Sequence, residues 1–231
     1  MKRSWLAIGI IFLVLLIDQV LKVWIKTTYT LGGGFDILGL SWAKIHFVEN
    51  EGMAFGMELG GSYGKLVLSI FRIIAVFFIG YYLYTLIKSK ASNALIISIA
   101  LVFSGAMGNI LDSIFYGVLF SASTYSNVAQ FMPEAGGYTT VLHGHVVDMF
   151  YFPLAQGHYP EWMPLLGGKF FLFFRPVFNV ADSAITIGVL SILLFQRSIF
   201  MQNSTEEKPV EKNTTDAEVN ENASQEINNH Q

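Results

Sequence analysis

The chain has 231 residues, of which 53% are hydrophobic and only 13% charged, with a mean hydropathy of +0.49. Such a balance could describe one large soluble core, but soluble chains usually carry about 25% charge, and the segment pattern below makes this an integral membrane protein. The absence of cysteine excludes disulfides, thiolate metal sites, iron–sulfur clusters and a cysteine nucleophile together.

Lys2-Arg3 precede an apolar run from Trp5 to Ile17, which continues through Val20, Leu21, Val23, Trp24 and Ile25. About 20 apolar residues cross a hydrocarbon core of about 30 Å. No small-x-small cleavage site follows, so a retained span over about 5–26 is expected in place of a cleaved signal peptide. Asp18 and Lys22 are four apart in its second half, on one helix face, where each neutralises the other. Residues 27–63 differ in kind. Gly32-Gly33-Gly34 breaks the helix, and aromatic and β-branched residues from Leu38 to Val48 predict short strands outside the membrane. Glu49-Asn50-Glu51-Gly52-Met53-Ala54-Phe55-Gly56 reads as a polar turn.

Leu66 to Ile87 predicts a second span, with Arg72 near its start, able to snorkel to the nearer surface or pair with an acid. A third is expected over about 94–115. It contains Gly105-Ala106-Met107-Gly108-Asn109-Ile110-Leu111-Asp112, whose small residues allow close helix approach. Asn109 and Asp112 are three apart and face the same way. Residues 121–176 form the longest extramembrane region, rich in Gly, Pro and aromatics, with His143-Gly144-His145-Val146-Val147-Asp148 near its middle. A last span is expected over 177–200. Its opening stretch, Phe178-Asn179-Val180-Ala181-Asp182-Ser183, places a carboxylate where a charge costs about 2.5–3.5 kcal/mol at a helix centre and less near an interface. Residues 204–231 hold seven acids against two lysines and no aromatic residue, leaving a body with 12 basic and 10 acidic residues. That tail is too poor in apolar residues to fold and is expected to be disordered.

Four spans put both termini on one side. Lys2, Arg3, Lys88, Lys90 and Arg197 flank that side, which suggests it is cytoplasmic, although Lys26, Lys44, Lys65, Lys169 and Arg175 lie on the other. With alternating spans, Asp18, Asp112 and Asp182 all fall near the outer surface, and Asp148 reaches the same place from the loop. Asn50, Asn109 and Asn179 accompany them. Two carboxylates held close share one proton, so one serves as general base on a water while the other hydrogen-bonds a scissile carbonyl. The same acids also suit an ion or proton transporter. His143, His145, Asp148 and Asp182 suit a metal site less well, since no His-Glu-x-x-His is present. On the residues alone these readings stay open.

Five motifs then resemble one family: Asp18-x-x-x-Lys22, Asn50-x-Gly52-x-Ala54-Phe55, Gly108-Asn109-x-x-Asp112, Val146-Val147-Asp148 and Phe178-Asn179-x-Ala181-Asp182-Ser183-Ala184-Ile185. Together, and in this order over about 5–200, they look like lipoprotein signal peptidase (signal peptidase II). The resemblance implies an all-α membrane protein of four transmembrane helices, with a small extramembrane β-cradle, outer-face loop insertions and the acidic tail outside the 1–203 peptidase domain. It implies a multi-pass aspartic endopeptidase of the bacterial inner membrane, termini cytoplasmic and active site at the outer face. Such an enzyme cuts diacylglyceryl-modified prolipoproteins before the lipidated cysteine. Its catalytic dyad maps onto Asp148 and Asp182. Asp18, Lys22, Asn50, Gly52, Asn109, Asp112, Asn179 and Ala181 map onto supporting and substrate-binding positions. Prolipoproteins, membrane lipid and globomycin-type inhibitors are the implied partners, with no cofactor, no metal and no nucleic acid. Where the family usually has Arg this chain has Ser113, for which Arg72 or Arg175 is the candidate substitute. The outer segments on both sides of Asp148 are longer than usual in the family and are candidates for a lid or an extra substrate surface.

Overall fold

The computed structural model describes residues 2–50, 61–173 and 176–195. One compact unit runs to Leu194; a second, from Phe195 onward, lies almost wholly outside the described residues, as does the tail. Among its described residues, the first unit has four long helices and six short strands. Helix α1 covers Lys2–Thr28, α2 Gly61–Lys88, α3 Asn93–Leu111 and α4 Val180–Phe195. Three described helical stretches are long and apolar enough to cross a membrane: Lys2–Thr28, Gly64–Lys88 and Asn93–Leu119. The described part of α4 is apolar but shorter.

Local signals account for the helix ends. Lys90 takes a left-handed conformation (φ 58°) just after α2, and the N–H of Ala91 returns to the carbonyl of Leu86. Two residues on, the Ser92 hydroxyl accepts the N–H of Leu95 at 3.2 Å and caps α3. At its far end α3 widens into a π turn, Asp112–Tyr116, before a last α turn at Gly117–Leu119. The extra residue of a π turn re-aims the side chains that follow, and such turns recur at functional sites.

Strands β1 (Gly34–Asp36), β2 (Lys44–Asn50), β3 (Val146–Tyr151) and β6 (Val177–Phe178) form one antiparallel sheet in the order β1-β2-β3-β6. Strands β4 (Ala155–His158) and β5 (Phe170–Phe173) make a separate hairpin. β2 and β3 pair Val48 with Asp148 and Glu49 with Val147, with a bulge between Ile45 and Val48. Gly34 has φ 153°, and a Cβ there would lie 1.9 Å from the Ile45 carbonyl oxygen, so only glycine lets β1 approach.

The mostly helical membrane architecture with a small sheet agrees with the sequence reading, and the differences are local. The strands expected over 38–48 reduce to β2, because Ile37–Gly39 is a 3-10 turn in which Leu38 has φ 53°. Glu49 and Asn50 are not a polar turn but the end of β2, held by pairing to β3. Helix α4 begins at Val180 and not at 177, because Val177 and Phe178 pair with Tyr151 and Phe150. The sheet thus delivers the chain to the mouth of α4. Beneath it, Ile25, Phe47, Tyr116, Phe120, Val147 and Met149 form one buried apolar cluster. A second, of Ala7, Leu83, Leu86, Ile96, Ile99 and Ala100, packs the opposite ends of α1, α2 and α3.

Candidate active site

The site begins with an ammonium ion inside the bundle. Lys22 is fully buried, and its Nζ meets Asp18 Oδ2 at 2.9 Å, Asp112 Oδ2 at 2.8 Å and Asn109 Oδ1 at 3.0 Å. An ammonium has three donors and no acceptor, so all three are used. Asp18 and Asp112 are also fully buried. Gln19 stitches them together, its Nε2 donating to Asp18 Oδ2 at 3.1 Å and Asp112 Oδ1 at 2.9 Å, while its Oε1 accepts the Tyr116 hydroxyl at 3.2 Å. Gln19 was not among the expected site residues; its one signal was polarity within an apolar run, next to Asp18.

This ion cluster orients the rest. Because Lys22 only donates, Asn109 must turn its Oδ1 toward it, which leaves Asn109 Nδ2 to donate to Asp182 Oδ1 at 2.8 Å. The other oxygen of Asp18 accepts the backbone N–H of Ala181 at 2.9 Å, docking the start of α4. Close packing permits this. A Cβ at Gly105 would lie 2.2 Å from the Ala181 carbonyl oxygen, and one at Gly108 2.8 Å from Asp18 Oδ2.

Asn179 is the second orienting amide. It stands where the sheet ends and α4 starts, fully buried. Its Oδ1 accepts the Asp182 N–H at 2.9 Å and its own N–H donates to Asp182 Oδ2 at 3.3 Å, a reciprocal cap. That bond fixes its Nδ2 toward Asp148 Oδ1, 2.7 Å away, and toward Asn109 Oδ1 at 3.1 Å. Asn50 Nδ2 reaches the other Asp148 oxygen at 3.4 Å. Asp148 is buried and Asp182 half-buried. Burial and then the charge of Asp182 push the Asp148 carboxyl up to about 7, against the pull of Lys22, Asn50 and Asn179.

Asp18, Lys22, Asn50, Asn109, Asp112, Asp148, Asn179, Ala181 and Asp182 are therefore joined through one continuous set of contacts. Gly52 lies outside the described residues, as do Ala54, Phe55, Arg175 and Arg197. Ser113 donates its hydroxyl to the Asn109 carbonyl at 3.1 Å, and Arg72 lies within electrostatic reach of Asp182, Asp148 and Asp112. The two histidines turn elsewhere. His143 Nδ1 contacts Thr140 Oγ1 and the Val141 carbonyl, and His145 Nδ1 contacts Glu49. Among the described residues, no three His, Asp or Glu side chains gather as a ligand set.

The chain is similar to known proteins. The family model described as Signal peptidase (SPase) II matches residues 10–199. The lipoprotein signal peptidase of Porphyromonas gingivalis is 47% identical over 212 residues, covering 91% of each chain. That of Amoebophilus asiaticus is 37% identical over 225 residues, covering 94% of this chain and 88% of the other. Among solved structures, a bacterial membrane enzyme at 1.9 Å resolution aligns with a TM-score of 0.52 and 27% identity over 81% of this chain and 89% of the other. Another, at 2.3 Å, shares the fold with a TM-score of 0.52 at 23% identity, covering 88% and 92%.

Proposed function

The chain belongs to the signal peptidase II family, and from that premise we propose that it removes the signal peptide from diacylglyceryl-modified prolipoproteins, with Asp148 and Asp182 as its catalytic pair. The observation that carries the pair is electrostatic. A buried carboxyl on β3 is raised to about 7 with the charge of a second carboxyl, on the first turn of α4, as a cause. That burial and that neighbouring charge keep a proton on Asp148 near neutral pH. Asp148, the more buried, is the better holder. Asp182, more exposed and accepting N–H bonds from Asn109 and Asn179, takes the part of base.

The chemistry follows from those parts. Asp182 removes a proton from water as the water oxygen bonds to the scissile carbonyl carbon, and Asp148 donates its proton to the carbonyl oxygen. The tetrahedral intermediate collapses as the peptide C–N bond breaks, the amine leaves with the proton that Asp182 took, and the proton on the former carbonyl oxygen returns to Asp148. Asn109 and Asn179 keep both carboxylates aimed without titrating themselves, so their contribution costs no reorganisation during the reaction. Asp18, Lys22 and Asp112 hold those amides. Gly52 and Asn50 complete the supporting set.

A lipid-modified substrate suits a site at the ends of spans, since acyl chains hold the modified cysteine at the bilayer surface and cleavage there needs no lipid extraction. In this reading α4 is a fourth span, the termini are cytoplasmic, the site faces outward from the inner membrane, and globomycin-type inhibitors occupy it. The decisive experiment incubates purified protein with a diacylglyceryl peptide, with and without globomycin. Cleavage before the modified cysteine that globomycin blocks and a chelator leaves alone is the expected result. Loss of cleavage on chelation would move the reading to a metallopeptidase. Because the chain has no cysteine, single cysteines at Lys2 and Leu165 report topology: only the second should react with an impermeant maleimide on intact spheroplasts.

A further inference from the structure

The strand ribbon that carries Asn50 and Asp148 has a second charged group behind it, which the reaction above leaves unused. Side chains along a strand alternate between faces. Asn50 and Asp148 meet on one face of β2 and β3, while Phe47, Val147 and Met149 join the buried apolar cluster on the other. Glu49 opposes Val147 and shares that rear face. There its Oε1 receives the ammonium of Lys26, from the last turn of α1, and the hydroxyl of Ser123 at 2.7 Å. Its Oε2 contacts His145 Nδ1 at 3.2 Å.

Lys26 is fully buried. Its Nζ also donates to Ser123 Oγ at 3.0 Å and stands 5.0 Å from the Tyr138 ring centroid and 5.5 Å from that of Phe120. The Tyr138 hydroxyl accepts the backbone N–H of His145 at 2.6 Å, and the two rings meet at a tilt with centroids 5.2 Å apart. Burial pushes the Glu49 carboxyl up, but the His145 bond and the Lys26 charge outweigh it and hold the group down at about 2. Glu49 is ionised at every working pH. Three separate stretches of chain thus converge on one carboxylate, directly beside Asn50 and across from the entry of β3.

We propose that Lys26, Glu49 and His145 are positioning residues for the peptidase reaction, clamping the β2–β3 register from behind so that Asp148 meets its amide donors. The proposal rests on the peptidase reading above. Three observations favour positioning over a plain staple. The Asn50–Asp148 bond is 3.4 Å long, so a small slip of either strand breaks it. A bulge between Ile45 and Val48 interrupts the ladder on one side, so register needs another source. Apolar packing of Phe47, Val147 and Met149 is non-directional, whereas a carboxylate held by three donors accepts one arrangement. Ser123 and Tyr138 belong to the long outer segment between Asp112 and Asp148, so at these points that segment supports the ribbon from behind.

The test uses the full-length protein in micelles, a diacylglyceryl peptide, and hydrogen exchange at the amides of residues 146–150. Glu49→Gln should lower kcat about tenfold, the scale of a sub-ångström misplacement, while leaving KM within about twofold. It should also move the pH midpoint of kcat/KM upward, because weakened bonds from Asn50 and Asn179 no longer favour ionised Asp148, and it should speed exchange in β3. His145→Phe, which keeps a ring against Tyr138 but loses Nδ1, should show a smaller loss, and His145→Asn should recover most of it. Since Glu49→Gln strands the Lys26 charge and can fail to fold, a Lys26→Met, Glu49→Gln double variant removes both charges at similar volume and should show the same kcat loss. Folded variants with unchanged kcat, pH midpoint and β3 exchange would overturn the proposal, as would losses that track only the amount of folded protein. If the wild-type protein cuts no peptide, the peptidase reading fails, while exchange in Glu49→Gln still decides the clamp.

Discussion

Compare the two ends of the bundle. At one, Ala7, Leu83, Leu86, Ile96, Ile99 and Ala100 pack without an ionisable member. At the other, Asp18, Lys22, Lys26, Asp112, Asp148 and Asn179 are all buried. Dispersion holds the first end, and dispersion accepts many shapes of equal volume. At the second, hydrogen bonds and ion pairs are added to apolar packing, and a buried charge that loses its partner is penalised heavily. The apolar end can therefore drift in sequence without losing its job, whereas each polar side chain at the other end dictates the orientation of the next.

Substitution should expose that contrast most strongly at the proposed pair, Asp148 and Asp182. Asp148→Asn or Asp182→Asn should leave the protein inserted and reduce cleavage of a diacylglyceryl peptide to background; normal processing by either variant would remove it from the dyad. Next in size is Lys22→Met, which leaves Asp18 and Asp112 buried without a cation and should cost about 3–5 kcal/mol, read as a lowered melting temperature in micelles. Asp112→Asn should be milder, because Asp18 still neutralises Lys22. Gly105→Ala sets a methyl against the Ala181 carbonyl and should cost about 1–3 kcal/mol, with activity falling as α4 is pushed off α3.

Acidity sharpens the comparison further, since the buried carboxyls lie at the polar end. Asp148 is raised to about 7, so the folded state holds its proton more tightly than the unfolded chain does. Its contribution to stability is full below the ordinary carboxylate range and lost as pH rises through about 7. Cleavage should decline over the same rise, because the pair then has no proton to share, and Asp182→Asn should shift the Asp148 titration downward by removing a neighbouring charge. Glu49 has the opposite sign: held at about 2, it stabilises above the ordinary range, and that contribution is lost as pH falls toward 2. The smallest effect belongs to the apolar end. Ile99→Val should cost about 1 kcal/mol or less and leave kcat and its pH profile unchanged.

Much of the site was legible because its spacing is helical. Asp18 and Lys22 four apart, and Asn109 and Asp112 three apart, had to share faces, and both pairs meet at one ammonium. Asn179 and Asp182 repeat the spacing for another reason: Asn179 precedes α4 and caps it, with Asp182 closing the reciprocal bond. The turn expected at Glu49-Asn50 was misread because two polar residues at a strand end look like a turn until the partner strand, almost a hundred residues away, is known. Lys26, Ser123, Tyr138 and His145 gave no joint signal, for the same reason. Their charges and hydroxyls are ordinary one by one.

By itself, the sequence determined where the chain leaves water, which residues share a helix face, and which motifs place it in its family. Those properties depend on transfer cost and on periods of a few residues, and both are local. Only the tertiary structure decided which donor each carboxylate receives, which way Asn109 and Asn179 turn, and that a second charged cluster backs the ribbon. A hydrogen bond is set by a few tenths of an ångström between atoms distant in the chain, and that distance exists only once the helices and strands have packed.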